Sequence, residues 1–337
     1  MNILFTCAGR RNYLIEYFKQ ALQGKGVVVA ADMQLSAPAM AVADKAYLVP
    51  EVYADNYIEL IKEICKKEKI KAIISLNDLE LPILAESKAV FESIGVNVLV
   101  SDSEVIDVCF DKVKSMDFAA SIGLNTPKTY LSLSEAEMAF DKGDLSFPLV
   151  VKPRWGSASI GIEFPKDFNE LELAYKLLTS KLKHSILAIA SSNDFEHAIL
   201  IQQKIKGKEY GLDVLNDFYG VNHSVYVKEK LAMRAGETDK ARLVNLPVVE
   251  DIGKLVGQKL KHIGNLDCDV MEMDGNYYFI EMNPRFGGGY PFTYMAGGNF
   301  PAVLIDWLLG NKLNMEHLKK NYGATFSKCD QLIKIKE

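Results

Sequence analysis

The amino-acid sequence predicts an α/β protein whose first ~110 residues form a parallel sheet and whose remainder is α+β. In the first part, short apolar runs alternate with helical stretches, which is typical of βαβ units. In the second part, from residue 147 onward, apolar strands follow one another with few helices between them, which favours antiparallel sheets. The 337 residues are enough for about two domains with a large buried core.

The first part of the chain reads as a Rossmann-like domain. Leu14, Ile15 and Phe18 lie on one face of a helix over residues 12–23, because they recur at helical spacing. Short apolar runs on both sides of this helix predict buried strands. The expected strands are residues 2–7, 27–31, 72–76 and 96–100, and a second helix is expected at residues 56–68.

The second part begins with a helix over residues 112–122, which ends at Gly123 with Pro127 a few residues beyond. Its later elements are less regular in order. We expect strands at 147–152, 198–203, 210–215, 225–231, 266–273 and 277–282, and helices at 171–183, 251–262 and 301–309.

Composition and charge exclude several classes of protein. Hydrophobic residues make up 49% and charged residues 25%, as in ordinary globular proteins. The net charge of −5 argues against general nucleic-acid binding. The 5 cysteines never form a CxxC pair, which favours reduced thiols over zinc or disulfides. With no signal-peptide pattern and no membrane-spanning run, a cytoplasmic location is expected.

The turn after the first strand carries Gly9, Arg10 and Arg11, and Asp32 ends the second strand. This arrangement suggests a dinucleotide site, but the further glycines of the Gly-x-Gly-x-x-Gly fingerprint are missing. Two arginines at the start of a helix suit an anion. A plain turn with solvated arginines is the other interpretation, and the sequence leaves both open.

The most informative stretch is an acidic hairpin near the C-terminus. Residues 274–276 are expected to form a three-residue turn, so that Met273 pairs with Tyr277 and Asp269 lies opposite Glu281. Asn283 shares the face of Glu281, because strand side chains alternate. Two carboxylates and an amide oxygen would then converge, which predicts a Mg²⁺ site. The alternative is a surface hairpin whose acids face water.

The second strand of this hairpin and the residues after it resemble the ATP-grasp superfamily, especially the branch related to the carbamoyl-phosphate synthetase large subunit and to amino-acid ligases. Phe279-Ile-Glu281-Met-Asn283-Pro-Arg285 is similar to the metal-binding strand of the family. Lys152, in Pro-Leu-Val-Val-Lys-Pro-Arg, is similar to the lysine that contacts ATP phosphates. The resemblance covers nearly the whole chain and implies an ATP-grasp fold after the Rossmann-like domain.

The resemblance also implies roles for single residues. Asp269, Glu281 and Asn283 would hold Mg²⁺, with Mn²⁺ possible, and Arg285, Lys152 and Arg234 would act on phosphate or substrate. ATP is expected to contact residues in the linker helix, the glycine-rich flap, the hinge and a branch-specific segment. These ATP-contacting residues are Lys112, Lys152, Ser157, Ser159, Gln203, Lys204, Ile205, Glu209 and Lys230.

The implied architecture has three parts: residues 1–110, residues 111–205 with the linker helix and flap, and residues 206–337 with the metal site. The implied reaction is an ATP-dependent ligation of a small carboxylate to an amine through an acyl phosphate, with release of ADP and phosphate. A homodimer is a habit of the family.

Three alternatives stay open. The first is a kinase-like or carbamate-phosphorylating activity on the same fold. The second is an ATP-binding subunit of a larger, carbamoyl-phosphate synthetase-like enzyme. The third, which the missing glycine fingerprint disfavours, is a Rossmann oxidoreductase.

Overall fold

Three β-sheets organise the chain, and each is built from a different stretch of it. The structure is a computed structural model that describes residues 1–156 and 160–335. Residues 1–110 contribute β1 (Asn2–Thr6), α1 (Asn12–Leu22), β2 (Val28–Asp32), α2 (Pro38–Val42), β3 (Lys45–Leu48), α3 (Tyr57–Glu68), β4 (Ile70–Ser75), α4 (Leu81–Glu86), α5 (Lys88–Glu92), β5 (Asn97–Val98) and α6 (Ser103–Phe110).

The first sheet is parallel, with the order β3-β2-β1-β4-β5. All five residues of β2 and most of β1 are buried, because the central strands of a parallel sheet are covered on both faces. The apolar runs of the sequence predict these central strands. They do not predict β3, a short edge strand with half-exposed side chains and therefore no apolar run.

The middle of the chain forms a small sheet flanked by helices. Its described elements are α7 (Lys112–Ser121), β6 (Thr129–Tyr130), α8 (Leu133–Asp141), β7 (Leu149–Pro153), α9 (Phe168–Leu182), α10 (Ala188–Ser191), a 3-10 turn (Ser192–Asp194) and β8 (Ile199–Gln203). The strand order is β6-β8-β7, and both pairings are antiparallel.

The last part of the chain forms an antiparallel sheet that is the floor of the site described below. Its described elements are β9 (Lys208–Asn216), β10 (Asn222–Arg234), β11 (Glu237–Leu243), α11 (Pro247–Leu260), β12 (Gly264–Met273), β13 (Asn276–Asn283), α12 (Tyr290–Met295), α13 (Phe300–Leu308), a 3-10 turn (Met315–His317) and β14 (Thr325–Ser327). The strand order is β13-β12-β9-β10-β11-β14.

The predicted fold class, a parallel N-terminal sheet followed by α+β parts, is confirmed. Each sheet falls in one of the three predicted parts, while their boundaries at residues 110 and 205 stay a prediction. Within the described residues, every helix is too short or too polar to cross a membrane.

Candidate active site

A cleft of about 570 Å³ lies where the three parts of the chain meet. This volume is typical of a small-molecule site. Most of the residues predicted for the site line it, although they come from distant parts of the sequence. These residues are Lys152, Gln203, Lys204, Ile205, Glu209, Lys230, Asp269, Glu281, Asn283 and Arg285.

The acidic hairpin has the predicted pairing but not the predicted turn. Met273 pairs with Asn276, so the turn contains only Asp274 and Gly275, both with positive φ. A two-residue turn alone would pair Asp269 with Ile280. A β-bulge at Ile280 shifts the register by one residue and restores the pairing of Asp269 with Glu281. The three-residue turn was wrong, and the bulge compensates for it.

Asp269 takes part in a charge network on the floor of the cleft. The Lys230 ammonium lies 2.6 Å from the carboxylate of Asp269 and 2.7 Å from that of Glu209. Burial, together with the nearby acids, raises the pKa of the Asp269 carboxyl above its usual value. Burial opposes the charge on Lys230, but the two carboxylates outweigh it and raise the lysine pKa. Lys230, a predicted ATP-contacting residue, is thus in direct contact with Asp269, a predicted metal ligand.

Gly211 on β9 leaves space on the floor of the cleft, between β10 with Lys230 and β12 with Asp269. Gly211 pairs with Asp269 on one side and Lys228 on the other. A Cβ atom at Gly211 would lie 3.1 Å from Cε of Lys230 and 3.7 Å from an oxygen of Asp269. The absence of a side chain therefore lets the lysine and the carboxylate meet.

The donor set fits a hard divalent cation. Asp269 and Glu281 are directly paired, Asn283 lines the same cleft, and all three offer oxygen ligands. The Lys230 ammonium already binds Asp269, so a metal ion at this carboxylate would have to share it with the lysine. No group of three or more His, Cys, Asp or Glu side chains is arranged to hold a metal in the described ranges. The set therefore depends on the Asn283 amide and on oxygens from a ligand.

Two buried lysines face these acids from the middle part of the chain. Lys152 on β7 is 4% exposed, and burial lowers its pKa to about 8. Lys112 is also buried, and burial lowers its pKa. The lysines repel one another, while Glu281 attracts both. An ammonium held in this way gains from an anionic ligand such as phosphate.

Lys112 is positioned by the cap of its helix. The Asp111 carboxylate accepts from the amide of Val113 at 2.9 Å and binds the Arg154 guanidinium. The Lys112 ammonium donates to the main-chain oxygen of Gly156, directly before the predicted flap. Ser157 and Ser159, the flap residues expected to contact ATP, lie outside the described residues.

The segment after β8 also lines the cleft. Ile205 is buried, and the Lys204 ammonium lies 4.2 Å from the ring centroid of Phe164. The main-chain amide of Gln203 donates to the oxygen of Lys128 at 2.8 Å. Apolar side chains with adjacent main-chain groups are suited to a planar base.

The Arg285 guanidinium is bound by two carboxylates that are not among the predicted site residues. It lies 2.8 Å from Asp78, which is 207 residues away, and 3.3 Å from Asp267. Strand alternation could have identified Asp267, because it shares the face of Asp269. No local signal identifies Asp78, which comes from the loop after β4.

A second buried pair, Lys228 with Asp213, was also missed. The Lys228 ammonium contacts the Asp213 carboxylate and donates to the hydroxyl of Thr293 at 3.0 Å. Both side chains are almost fully buried, and Lys228 lines the cleft. Asp213 pairs with Asp267 across the sheet, so this pair continues the charged floor.

Arg234 is not brought to the cleft wall. Its guanidinium lies on the exposed end of β10, 2.9 Å from Asp239 and 2.8 Å from Asp330. Its neighbours Met233 and Gly236 line the cleft, but the half-exposed side chain of Arg234 pairs with Asp239 and with the C-terminal segment instead. We therefore leave Arg234 out of the site.

The N-terminal arginine turn contributes to the cleft through Arg11 alone. The Arg11 guanidinium donates to the main-chain oxygen of Phe286 at 2.6 Å and lines the cleft, whereas Arg10 is exposed. The Asp32 carboxylate accepts from the amides of Gly9 and Gln34 at 2.8 and 2.9 Å. Asp32 therefore fixes the turn, which is a different role from holding a ribose.

Comparison with known families supports this geometry. Residues 109–289, more than half of the chain, match the family described as ATP-grasp domain. Residues 3–99 match the family described as PylC-like, N-terminal domain.

Curated relatives include two carbamoyl phosphate synthase large chains from clostridia. The protein from Clostridium botulinum (strain Alaska E43 / Type E3) is 24% identical over 72% of this chain and 22% of its own length. The protein from Clostridium perfringens (strain 13 / Type A) is 23% identical over 96% of this chain and 29% of its own length. The chain thus spans about a quarter of the length of these relatives.

Solved structures share the fold. The L-amino acid ligase from Bacillus licheniformis has a TM-score of 0.72 at 20% identity, over 96% of this chain and 79% of the ligase. The biotin carboxylase domain of the Hydrogenobacter thermophilus 2-oxoglutarate carboxylase, solved as a dimer with MgADP and bicarbonate, has a TM-score of 0.71 at 20% identity, over 96% and 73% of the two chains. The chain therefore belongs to the ATP-grasp family, as the sequence predicts.

Proposed function

We propose that the cleft joins a small-molecule carboxylate to an amine at the expense of ATP. The observation that carries this proposal is the meeting of two buried lysines, Lys112 and Lys152, with Glu281 of the acidic hairpin. Cations without enough counter-charge beside paired carboxylates suit a nucleotide whose phosphates bind both the lysines and a divalent metal.

The reaction has two steps. An oxygen of the substrate carboxylate forms a bond to the γ-phosphorus of ATP while the bond to the β–γ bridging oxygen breaks, and ADP leaves. The amine nitrogen of the second substrate then bonds to the carbonyl carbon of the acyl phosphate. The carbon–oxygen bond to phosphate breaks, phosphate leaves, and the nitrogen loses a proton.

The residues of the chain contribute charge and position. Lys152 and Lys112 neutralise phosphate oxygens, and Arg285, held by Asp78 and Asp267, faces the charge that develops at the transferred group. Gln203, Lys204 and Ile205 contact the base, and Glu209 accepts from the ribose. Asp269, Glu281 and Asn283 would hold Mg²⁺, which when bound neutralises phosphate oxygens; Mn²⁺ prefers the same oxygen ligands.

A second candidate function is supported by the relatives named carbamoyl phosphate synthase large chain. In this case the chain phosphorylates bicarbonate, carbamate or another small molecule, alone or as an ATP-binding subunit of a larger enzyme. ADP release that requires bicarbonate and no other carboxylate would favour it. Binding of a nicotinamide dinucleotide would instead support the oxidoreductase alternative, which the role of Asp32 in its own turn disfavours.

A cytoplasmic location and a homodimer complete the proposal. The five cysteines are all free thiols in the structure, which suits a reducing compartment. The biotin carboxylase relative was solved as a domain dimer. Light scattering of the purified chain would test the dimer.

The proposal is tested by ADP release with Mg·ATP across carboxylates and amines, singly and in pairs. We expect release that requires one acid and increases with one amine. Glu281→Gln should abolish it, by removing a metal-binding charge, and Lys152→Ala should lower it about 100-fold, by removing a phosphate contact.

The matched controls are Glu172→Gln and Lys176→Ala, which make the same changes in an exposed pair on α9. Both controls should retain full activity. Normal turnover in Glu281→Gln and Lys152→Ala would refute the site, and a failure of the wild-type protein to bind ATP would refute the function.

A further inference from the structure

The positively charged side chains that line the cleft differ in whether they form an ion pair with a carboxylate. Three of the lining cations have carboxylate partners: Lys228 with Asp213, Lys230 with Glu209 and Asp269, and Arg285 with Asp78 and Asp267. The cations without an ion pair within 4 Å in the described part of the chain are Lys152, Lys204 and Arg11.

Two of these unpaired cations already have a role in the proposed function. Lys152 faces the metal-binding acids, and Lys204 lies in the segment that contacts the base. Arg11 has no such role. It comes from the loop between β1 and α1, and its only hydrogen bond among the described residues goes to the main-chain oxygen of Phe286.

Arg11 lines the cleft close to Arg285, because both guanidinium groups donate to the main-chain oxygen of Phe286. Burial raises the pKa of the Tyr13 hydroxyl, and this hydroxyl lies close enough to Arg11, Glu237, Arg285 and Asp267 for their charges to affect that pKa. The Glu237 carboxylate forms its ion pair with Lys328 at 2.9 Å; against the effect of burial, Lys328 and then the more distant Arg11 lower its pKa. The Arg11 guanidinium therefore keeps donors without a carboxylate within 4 Å in the described part of the chain, and a guanidinium presents several donors suited to a carboxylate or phosphate group.

We propose that Arg11 binds a non-reacting anionic group, a carboxylate or a phosphate, on the substrate that occupies the part of the cleft beside Arg11. The inference rests on the proposed function and adds a requirement to it: one substrate carries a negative charge besides its reacting group. Arg11 is then a specificity-determining residue.

The experiment compares small molecules that differ by one anionic group: aspartate with asparagine, glutamate with glutamine, and phosphoglycerate with glycerate. Each is titrated by calorimetry into the full chain saturated with Mg·ADP. Wild-type protein should bind a charged member roughly ten- to one-hundred-fold more tightly than its neutral partner. Preference in the amino-acid pairs would identify a carboxylate, and preference in the glycerate pair a phosphate.

Arg11→Gln should remove this preference, and Arg11→Lys should restore part of it. Arg10→Gln is the matched control, because Arg10 is the exposed neighbour on the same loop and does not line the cleft. It should bind like wild type. A purely structural role of Arg11, through its bond to Phe286, would weaken charged and neutral members equally.

The inference is overturned if no charged member binds preferentially, if Arg11→Gln keeps the preference, or if Arg10→Gln loses it as well. Failure of Mg·ADP to bind would instead refute the proposed function. The titrations repeated without nucleotide would then still show whether Arg11 binds the anion.

Discussion

At the scale of single residues, the charge state of Lys152 gives a testable pH dependence. Burial lowers its pKa to about 8, so above this pH the free protein holds a neutral amine. Because the proposed phosphate contact requires the ammonium, affinity for a non-hydrolysable ATP analogue should fall as pH rises through 8, approaching tenfold per pH unit. Calorimetry between pH 7 and 9.5 would measure this fall.

Substitution of Lys152 by arginine is the control, because a guanidinium stays charged between pH 7 and 9.5. Lys152→Arg should bind the analogue with an affinity that changes little between pH 7 and 9.5. An equally steep fall in wild type and variant would mean that another group causes it.

Single residues also show how far the sequence can predict the site. Glu281, Asn283 and Arg285 lie on one short strand and its end, so local alternation is enough to bring them to the cleft. Asp78 reaches Arg285 only through the fold, and no spacing predicts a contact across 207 residues. Arg234 shows the opposite error, since a charged residue in a suggestive segment lies at the outer end of a strand.

At the scale of elements, the hairpin of β12 and β13 has the predicted pairing of Asp269 with Glu281, although the predicted three-residue turn is wrong. The acids face each other because a bulge at Ile280 adds back the residue that the short turn leaves out. A bulge depends on packing against neighbouring strands, which the hairpin sequence alone does not contain. The positive φ of Asp274 and Gly275 fits the two-residue turn.

The segment after β13 gives a prediction about close packing. A Cβ atom on Gly287 would lie 2.1 Å from the Asp267 carboxylate, which binds Arg285, so the carboxylate would have to move. We expect Gly287→Ala to lower the free energy of unfolding by about 1–3 kcal/mol and to reduce ADP release strongly. Urea denaturation and the ADP assay would measure both effects.

Gly289→Ala is the control from the same glycine run. Its Cβ atom would meet nothing closer than 3.7 Å, an ordinary contact distance. It should change stability by less than about 0.5 kcal/mol. Equal losses in the two variants would indicate that the run needs flexibility and not space at one position.

At the scale of the whole molecule, the cleft forms where the parallel N-terminal part, the middle part with its small sheet and the large antiparallel sheet meet. Most strands of each sheet could be anticipated from apolar runs, but their order within the sheets and the docking of the sheets could not. The docking depends on long-range contacts such as Arg11 with Phe286 and Arg285 with Asp78. The same is true of β14, a strand of three residues that is defined by its partner β11.

The ion pair of Arg285 with Asp78 should therefore stabilise the molecule as well as the site. Both side chains are less than 10% exposed, with 2.8 Å between guanidinium and carboxylate. Asp78→Asn leaves a buried guanidinium with less counter-charge, which should cost about 3 kcal/mol of unfolding free energy. Asp102→Asn, which weakens an exposed pair with Lys88 in the same N-terminal part, should cost at most about 1 kcal/mol. Urea denaturation of both variants would measure the difference, and equal losses would show that the buried pair does not hold the two parts together.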